Sequence, residues 1–227
     1  MPEINRRTAV TMGIATVALS SACANASPGS KIKNEIIYQP KPLPFDPSKV
    51  TGLSEKLLRS HHERNYSGAV KRLGKIQTQM SQFEFGSGAG FELNGIKREE
   101  LMALNSMYLH EVYFAGINAT KSPSEKLGAQ IEKDFGSLDK WATQFTAMGH
   151  ALGGGSGWVL LTWSPRANRL MNLWAADHTH TAGDGTVLIA LDMYEHAYAM
   201  DFGANTKAYV KAFMQVLGWQ EANTRFD

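Results

Sequence analysis

The sequence predicts an α+β fold, in which an N-terminal antiparallel helical hairpin is followed by a C-terminal α/β domain with a small three-stranded antiparallel sheet. Apolar residues recur at helical spacing through the first half of the chain. Three strand-like runs follow the glycines at 153–155, and two helical patterns close the chain. Helices that are segregated in sequence from a short group of strands are typical of the α+β class.

The hairpin is predicted from two long segments with helical spacing. The first covers residues 54–82, with Ser54 placed to cap its N-terminus. The second covers residues 97–117 and carries an apolar stripe. The glycine-rich residues 83–95 are predicted to form the loop between them, and two long helices joined in this way favour an antiparallel pair.

The C-terminal half is predicted to begin near Thr120. Two helices, over 122–136 and from Ser137 to the glycines at 153–155, precede the strands. The strands are expected at 158–163, 170–175 and 187–191, and the last helices at 206–217 and 220–225. The hairpin domain is therefore assigned to 53–120 and the C-terminal domain to 121–227.

The first 52 residues have a different composition. Residues 1–26 place Arg6-Arg7 before an uncharged run, which is typical of a twin-arginine export signal. Ala24-Asn25-Ala26 fits a cleavage site, whereas the segment ending at Cys23 resembles a loose lipobox, so cleavage and lipid anchoring both stay open. Residues 27–52 hold five of the eight prolines and predict an extended arm. We therefore expect an exported, periplasmic protein.

Composition excludes several functional classes. Of the 227 residues, 43% are hydrophobic, and 23 basic side chains against 21 acidic ones give a net charge of +2. That balance argues against a nucleic-acid-binding protein that works through a basic surface. No apolar stretch is long enough for a transmembrane helix. The single cysteine excludes an intramolecular disulfide.

The histidines indicate a metal site. His61 and His110 lie on the two predicted hairpin helices, which could bring them together, and Asp192 and His196 follow the last predicted strand. Three imidazoles and one carboxylate suit manganese, iron or zinc, and disfavour metals that require thiolates. Spacing alone does not fix the geometry. No role is predicted for His62, His150 and His180.

Several segments resemble the iron/manganese superoxide dismutase family. They occur in the family's order and span about residues 43–226: residues 57–63 around His61, residues 105–114 around His110, the turn Gly155-Ser156-Gly157-Trp158, and Asp192-Met193-Tyr194-Glu195-His196-Ala197-Tyr198. The last is similar to the signature D-x-W-E-H-A-Y, which is highly specific. The resemblance implies superoxide as substrate and one iron or manganese ion per subunit, bound by His61, His110, Asp192 and His196.

The same resemblance assigns further residues. His178 falls where the family has the glutamine or histidine that hydrogen-bonds metal-bound solvent, and histidine there favours iron. Trp158, Phe114 and Tyr194 match the aromatic residues around the metal. Glu195 matches a glutamate that reaches the ligand histidine of a second subunit, which implies a homodimer.

The chain departs from the family at the substrate gateway. Asn65 replaces a histidine, and Ala69 and Ala199 replace tyrosines, while Tyr194 and Phe114 replace tryptophans. Tyr66 could refill part of this space. Loss of a phenol near the substrate predicts real but lower dismutase activity. The alternative is a catalytically weak or inactive metal-binding paralogue, and another redox activity on the same scaffold stays open.

Overall fold

Two long helical segments cross the N-terminal half of the computed structural model, which describes residues 38–117 and 121–227. Helix α1 (Glu55–Ser60) continues through a π-helical stretch (His61–Tyr66) into α2 (Ser67–Ser81). Helix α3 covers Gly90–Ala115. Pairs at both ends of the two segments, His61 with His110 and Arg72 with Glu99, show that they run antiparallel. The predicted hairpin is confirmed.

The hairpin differs from its prediction in two places. Helix α3 begins at Gly90, so the prediction of a loop through residue 95 is wrong. The helix extends through these glycines because the packing of a long helix outweighs the cost of about 1 kcal/mol for a glycine within it. The π-helical stretch was not predicted, since apolar spacing does not distinguish one wider turn within a longer helix. Ser54 caps α1 as expected, its Oγ accepting from Leu57 N at 3.0 Å.

The C-terminal half contains helices on both sides of a sheet in sequence order. Helices α4 (Glu125–Phe135) and α5 (Leu138–Ala151) come first. Strands β1 (Trp158–Ser164), β2 (Arg169–Ala175) and β3 (Thr186–Asp192) form an antiparallel sheet in the order β2-β1-β3. Helices α6 (Ala199–Phe202), α7 (Thr206–Val216) and α8 (Gln220–Phe226) follow. The predicted α+β class is confirmed, and only α6 was not foreseen.

The apolar core joins the hairpin to the sheet. Helix α3 packs against β3, and the side chains of Tyr113, Leu191 and Phe213 belong to the same buried cluster. This packing matters for the site, because α3 and β3 each carry a predicted ligand. Within the described ranges, no helix combines the length and the apolarity needed to cross a bilayer.

Part of the predicted organisation falls beyond the described ranges. The export signal, Cys23 and residues 27–37 of the arm lie outside them, as does the predicted domain boundary near Thr120. The described part of the arm, from residue 38 to 52, contains no α-helix or strand and one 3-10 turn, Pro47–Lys49. Asp46 caps that turn by accepting from Ser48 N at 3.0 Å.

Candidate metal centre

The four predicted ligands converge. His61, His110, Asp192 and His196 each offer one ligand atom, and these four atoms lie within 4.8 Å of one another. Nε2 of His61 and Nε2 of His196 each lie 3.1 Å from Oδ2 of Asp192, and Nε2 of His110 lies 3.5 Å from the same oxygen. One carboxylate oxygen therefore faces three imidazole nitrogens.

The hairpin supplies two of these residues and the sheet positions the other two. The rings of His61 and His110 lie 5.0 Å apart across the hairpin. Asp192 ends β3 directly opposite Trp158, the first residue of β1. Oδ1 of Asp192 accepts from the backbone N of Tyr194 at 2.9 Å, and His196 then returns to the site on the 3-10 turn Glu195–Ala197.

Gly157 allows the strands to meet at this point. Its φ is +130°, and a Cβ there would lie 2.1 Å from the carbonyl oxygen of Ala175. Its own carbonyl accepts from the backbone N of Met193 at 2.9 Å. Only glycine combines that dihedral with that approach, so this residue sets Trp158 beside Asp192.

Burial fixes the charge of the donor atoms. His61 and His110 are each 1% exposed and Asp192 is 0% exposed. Burial lowers the pKa of His61 and lowers that of His110 to about 3, so both imidazoles are neutral at pH 7. Burial alone would raise the pKa of Asp192, but the imidazoles of His196 and His61 outweigh it and hold that pKa below its usual range.

The hydrogen bonds of His110 leave a lone pair facing the centre. Its Nδ1 lies 2.6 Å from the carbonyl oxygen of Ser106, so Nδ1 carries the proton and Nε2 does not. Nε2 is buried and has no hydrogen-bond partner among the described residues. A buried nitrogen lone pair beside a carboxylate and two more imidazoles fits a first-row transition-metal ion.

His178 lies next to this cluster, and its partner fixes its tautomer. Nε1 of Trp158 donates to Nδ1 of His178 at 2.9 Å, so the neutral ring carries its proton on Nε2. Nδ2 of Asn105 donates to the carbonyl oxygen of His178 at 2.6 Å. Burial lowers the pKa of His178. Its ring centre is 6.2 Å from that of His110.

Aromatic rings lie beside the cluster. Tyr194 stacks between His178 and His196, with ring centres 4.9 and 5.4 Å away. Trp158 meets the ring of His110 edge-on at 5.2 Å, and Phe114 lies 5.0 Å from His61. These rings restrict water and hold the imidazoles in their orientation.

Among the described residues, the folded structure does not replace the polar side chains that the gateway lacks. Asn65 is partly buried, Ala69 is buried and Ala199 is exposed. The phenol of Tyr66 is committed elsewhere: it donates to Oε1 of Glu111 at 3.0 Å and accepts from the backbone N of Lys41 at 2.8 Å. Chiefly through burial, its pKa is raised to about 12. Tyr66 therefore does not restore the missing phenol.

Sequence reasoning missed one contact to the site. The hydroxyl of Tyr209, on α7, donates to the carbonyl oxygen of Asp192 at 2.7 Å. Nothing in the spacing of Tyr209 signals this role, because only tertiary packing brings its hydroxyl to the end of β3. The three unassigned histidines lie outside the cluster: His62 contacts the carbonyl of Lys41, His150 is exposed, and His180 pairs with Asp177 at 3.0 Å.

Comparison with known proteins identifies the family. Residues 123–225 match the model for the C-terminal domain of iron/manganese superoxide dismutases. A superoxide dismutase [Fe] from Cupriavidus metallidurans is 57% identical over 191 residues, which cover 84% of this chain and 97% of the relative. A superoxide dismutase [Mn/Fe] from Propionibacterium freudenreichii subsp. shermanii is 29% identical over 84% of this chain and 96% of the relative. A superoxide dismutase [Mn] from Halobacterium salinarum is 28% identical over 84% and 95%, respectively. The chain therefore belongs to the iron/manganese superoxide dismutase family, as these relatives show and as the order of the motifs and the converging ligand set support.

Proposed function

We propose that this chain is a superoxide dismutase, which converts two superoxide ions into dioxygen and hydrogen peroxide at a mononuclear iron or manganese site. The observation that carries the proposal is the convergence of three imidazole nitrogens on Oδ2 of Asp192 in a buried centre. A metal held by these four residues supplies two oxidation states one electron apart, which suits alternate oxidation and reduction of superoxide. The names of the relatives support the same activity.

The chain's own residues supply orientation and protons. His178 holds a proton on Nε2, because its Nδ1 accepts from Trp158. Hydrogen peroxide contains two protons that superoxide lacks, so a fixed N–H donor beside the centre serves the reductive half of the reaction. Bulk water around the imidazoles is restricted by Trp158, Phe114 and Tyr194. The lower local dielectric constant strengthens a hydrogen bond that the Nε2–H of His178 donates. Tyr209 holds the backbone of Asp192.

We favour iron as the resident metal. The relative that is 57% identical is named as an iron enzyme, whereas relatives that are 28–29% identical include manganese and mixed-metal enzymes. His178 at the solvent-binding position supports the same preference. The ligands themselves do not discriminate, because both metals accept imidazole and carboxylate donors.

The protein is further proposed to act as a homodimer through Glu195. Glu195 is exposed and precedes His196, whose side chain is 25% exposed while those of the other three site residues are at most 1% exposed. A second copy related by a two-fold axis would cover His196 with its own Glu195. Analytical ultracentrifugation of the parent and of Glu195→Ala tests this, and a parent that sediments as a monomer contradicts it.

The export signal suggests where the enzyme works. Residues 1–26 support twin-arginine export to the periplasm, and Cys23 supports lipid anchoring as the alternative to cleavage after Ala26. There the protein would remove superoxide as an antioxidant enzyme. Fractionation of cells followed by mass measurement of the mature N-terminus separates a cleaved protein from a lipidated one.

The activity is tested by superoxide decay in stopped flow, with metal content measured on the same sample. We expect rapid decay in protein from Ser27 onward after loading with iron or manganese, and its loss in His61→Ala. His150→Ala is the matched control, because His150 is exposed and is not one of the four clustered residues. Full metal occupancy with decay no faster than buffer contradicts the proposal. That result favours the metal-binding paralogue, which the reduced gateway at Asn65, Ala69 and Ala199 supports.

A further inference from the structure

One residue of the proline-rich arm bonds to both ligand-bearing helices. The backbone N of Lys41 donates to the hydroxyl of Tyr66 at 2.8 Å, and its backbone carbonyl accepts from Nε2 of His62 at 2.8 Å. Its Nζ donates to Oε2 of Glu111 at 2.5 Å. Pro42 disfavours helical backbone at the preceding residue, Lys41, and Pro40 has a fixed φ of its own, so this part of the arm has few backbone conformations to lose when it docks.

Two of the three partners of Lys41 are immediate neighbours of the metal ligands in the chain. His62 follows His61, and Glu111 follows His110. Tyr66 is the last residue of the π-helical stretch that begins at His61. Because Tyr66 also donates to Oε1 of Glu111 at 3.0 Å, Lys41, Tyr66 and Glu111 form a closed ring of hydrogen bonds. We call Lys41, His62, Tyr66 and Glu111 the arm clamp.

The arm clamp holds the π-helical turn that begins at His61, where helix geometry alone restricts the direction of the His61 side chain least. A π-helical turn is wider than an α-turn and occurs mainly in single turns at functional sites. The direction of the His61 side chain therefore depends on what holds the two ends of that turn. Tyr66 is 1% exposed, and its hydroxyl bonds to groups on two other segments. Those bonds tie the far end of the turn to the helix that carries His110.

We infer that the arm clamp positions His61 and His110 for the metal and thereby sets how long the protein retains it. The inference rests on the proposed metal site but not on the dismutase reaction. The inference gives Tyr66 a role different from that of the missing gateway phenol. Tyr66 acts by aligning the two histidine ligands. The inference also gives the arm a function in the site.

The test compares the rate at which iron is lost to a competing chelator from the loaded, full mature protein. Tyr66→Phe removes the hydroxyl and keeps the ring, Glu111→Gln keeps two polar atoms and removes the charge, and Lys41→Met removes only the ammonium. Tyr38→Phe is the matched control, because Tyr38 is an arm phenol that hydrogen-bonds to Tyr108, a residue of α3 outside the arm clamp. The ferric EPR spectrum and the melting temperature of the metal-free protein accompany each rate.

We expect Tyr66→Phe to lose iron about tenfold faster than the parent, in the range found when residues that orient metal ligands are removed. Its ferric EPR signal should change shape, while its metal-free melting temperature changes no more than that of Tyr38→Phe. Iron loss within about twofold of the parent, with an unchanged EPR signal, overturns the inference.

The remaining variants keep the test decisive if Tyr66→Phe does not fold. Lys41→Met and Glu111→Gln should then each lose iron at least about threefold faster than Tyr38→Phe. The double variant that combines Lys41→Met with Glu111→Gln should accelerate iron loss by less than the product of the two single effects, because both changes break the same ring of hydrogen bonds. Equal rates of iron loss in Lys41→Met, Glu111→Gln and Tyr38→Phe overturn the inference. Because no superoxide is used, unchanged iron loss with rapid superoxide decay rejects the clamp alone. Faster iron loss without superoxide decay rejects only the dismutase.

Discussion

Trp158 donates its indole N–H to Nδ1 of His178 at 2.9 Å and thereby determines which nitrogen of His178 carries the proton. The bond joins the first residue of β1 to the connection between β2 and β3. A tryptophan indole is only a donor, so His178 must accept at Nδ1 and keep its proton on Nε2. The tautomer of His178 is thus a consequence of the sheet, which holds the indole in place.

Replacing Trp158 with phenylalanine should impair the chemistry more than the stability. The ring remains, but His178 loses the donor that fixes its tautomer, so superoxide decay should slow by about tenfold to a hundredfold at unchanged metal content. Stopped flow and metal analysis measure both quantities. Trp141→Phe is the matched control, because Trp141 is also buried and donates to Oδ1 of Asn172 at 3.0 Å, which is not one of the clustered residues. Equal slowing in both variants would contradict this role.

Gly157→Ala should unfold the protein or destabilise it strongly. The dihedral disfavours any side chain, and the new Cβ would meet the Ala175 carbonyl at 2.1 Å, so the free energy of unfolding should fall by at least about 3 kcal/mol. Gly154→Ala is the comparison: φ is +85° there, but no atom lies within 4 Å of the new Cβ. It should cost about 1–2 kcal/mol. Urea denaturation measures both, and similar losses would show that the contact with Ala175 is not decisive.

The metal-free protein should lose stability as pH falls below about 6.5. Unfolded histidine takes up a proton near its ordinary pKa of 6.5, whereas burial holds the pKa of folded His110 at about 3 and also lowers that of His61. The unfolded state therefore binds more protons between these values, and the free energy of unfolding falls by up to about 1.4 kcal/mol per pH unit for each imidazole. Urea titrations from pH 7 to pH 4 measure the slope.

A double variant provides the control for that slope. His61→Gln combined with His110→Gln removes both buried imidazoles, so its stability should depend less on pH over the same interval. Below pH 3.8 the lowered pKa of Asp192 acts in the same direction, since the unfolded carboxylate then takes up its proton first. A double variant with the slope of the parent would assign the effect to other groups.

Ala69→Tyr tests whether the missing phenol limits the rate. Ala69 is 9% exposed, and the hydroxyl of Tyr66 is bonded to Glu111 rather than free to replace it. A phenol restored at residue 69 should accelerate the proton-dependent half-reaction by about tenfold, which corresponds to about 1.4 kcal/mol. Stopped flow at several pH values measures it, with Ala69→Phe as the control for added bulk. An unchanged rate in Ala69→Tyr would count against the gateway explanation.

The sequence predicted the site more completely than it predicted the hairpin around it. His61, His110, Asp192 and His196 could be assigned as one ligand set through the resemblance to the iron/manganese superoxide dismutase family, whereas their spacing alone left the geometry open. The start of α3 could not, because glycines at 90 and 95 favour a loop locally, and only packing over the whole helix reverses that preference.

The contacts that support the site were least accessible to sequence reasoning. Tyr66 lies three residues from Ala69, and spacing alone does not show that the turn from His61 to Tyr66 is π-helical or that the hydroxyl faces Glu111. Tyr209 and Asp192 are 17 residues apart, and only tertiary packing brings the hydroxyl of Tyr209 to the carbonyl of Asp192. Such contacts depend on tertiary distances, which apolar periodicity does not encode.

The pairing of Trp158 with Asp192 at the meeting of β1 and β3 has a consequence for the order of synthesis. His61 and His110 can come together as soon as the hairpin has left the ribosome, because their helices are consecutive in the chain. Asp192 and His196 are made much later, and His61 and Asp192 are separated by 131 residues. A growing chain that stops short of β3 therefore holds half of the site, and all four side chains can bind a metal only after residues 192–196 have been made.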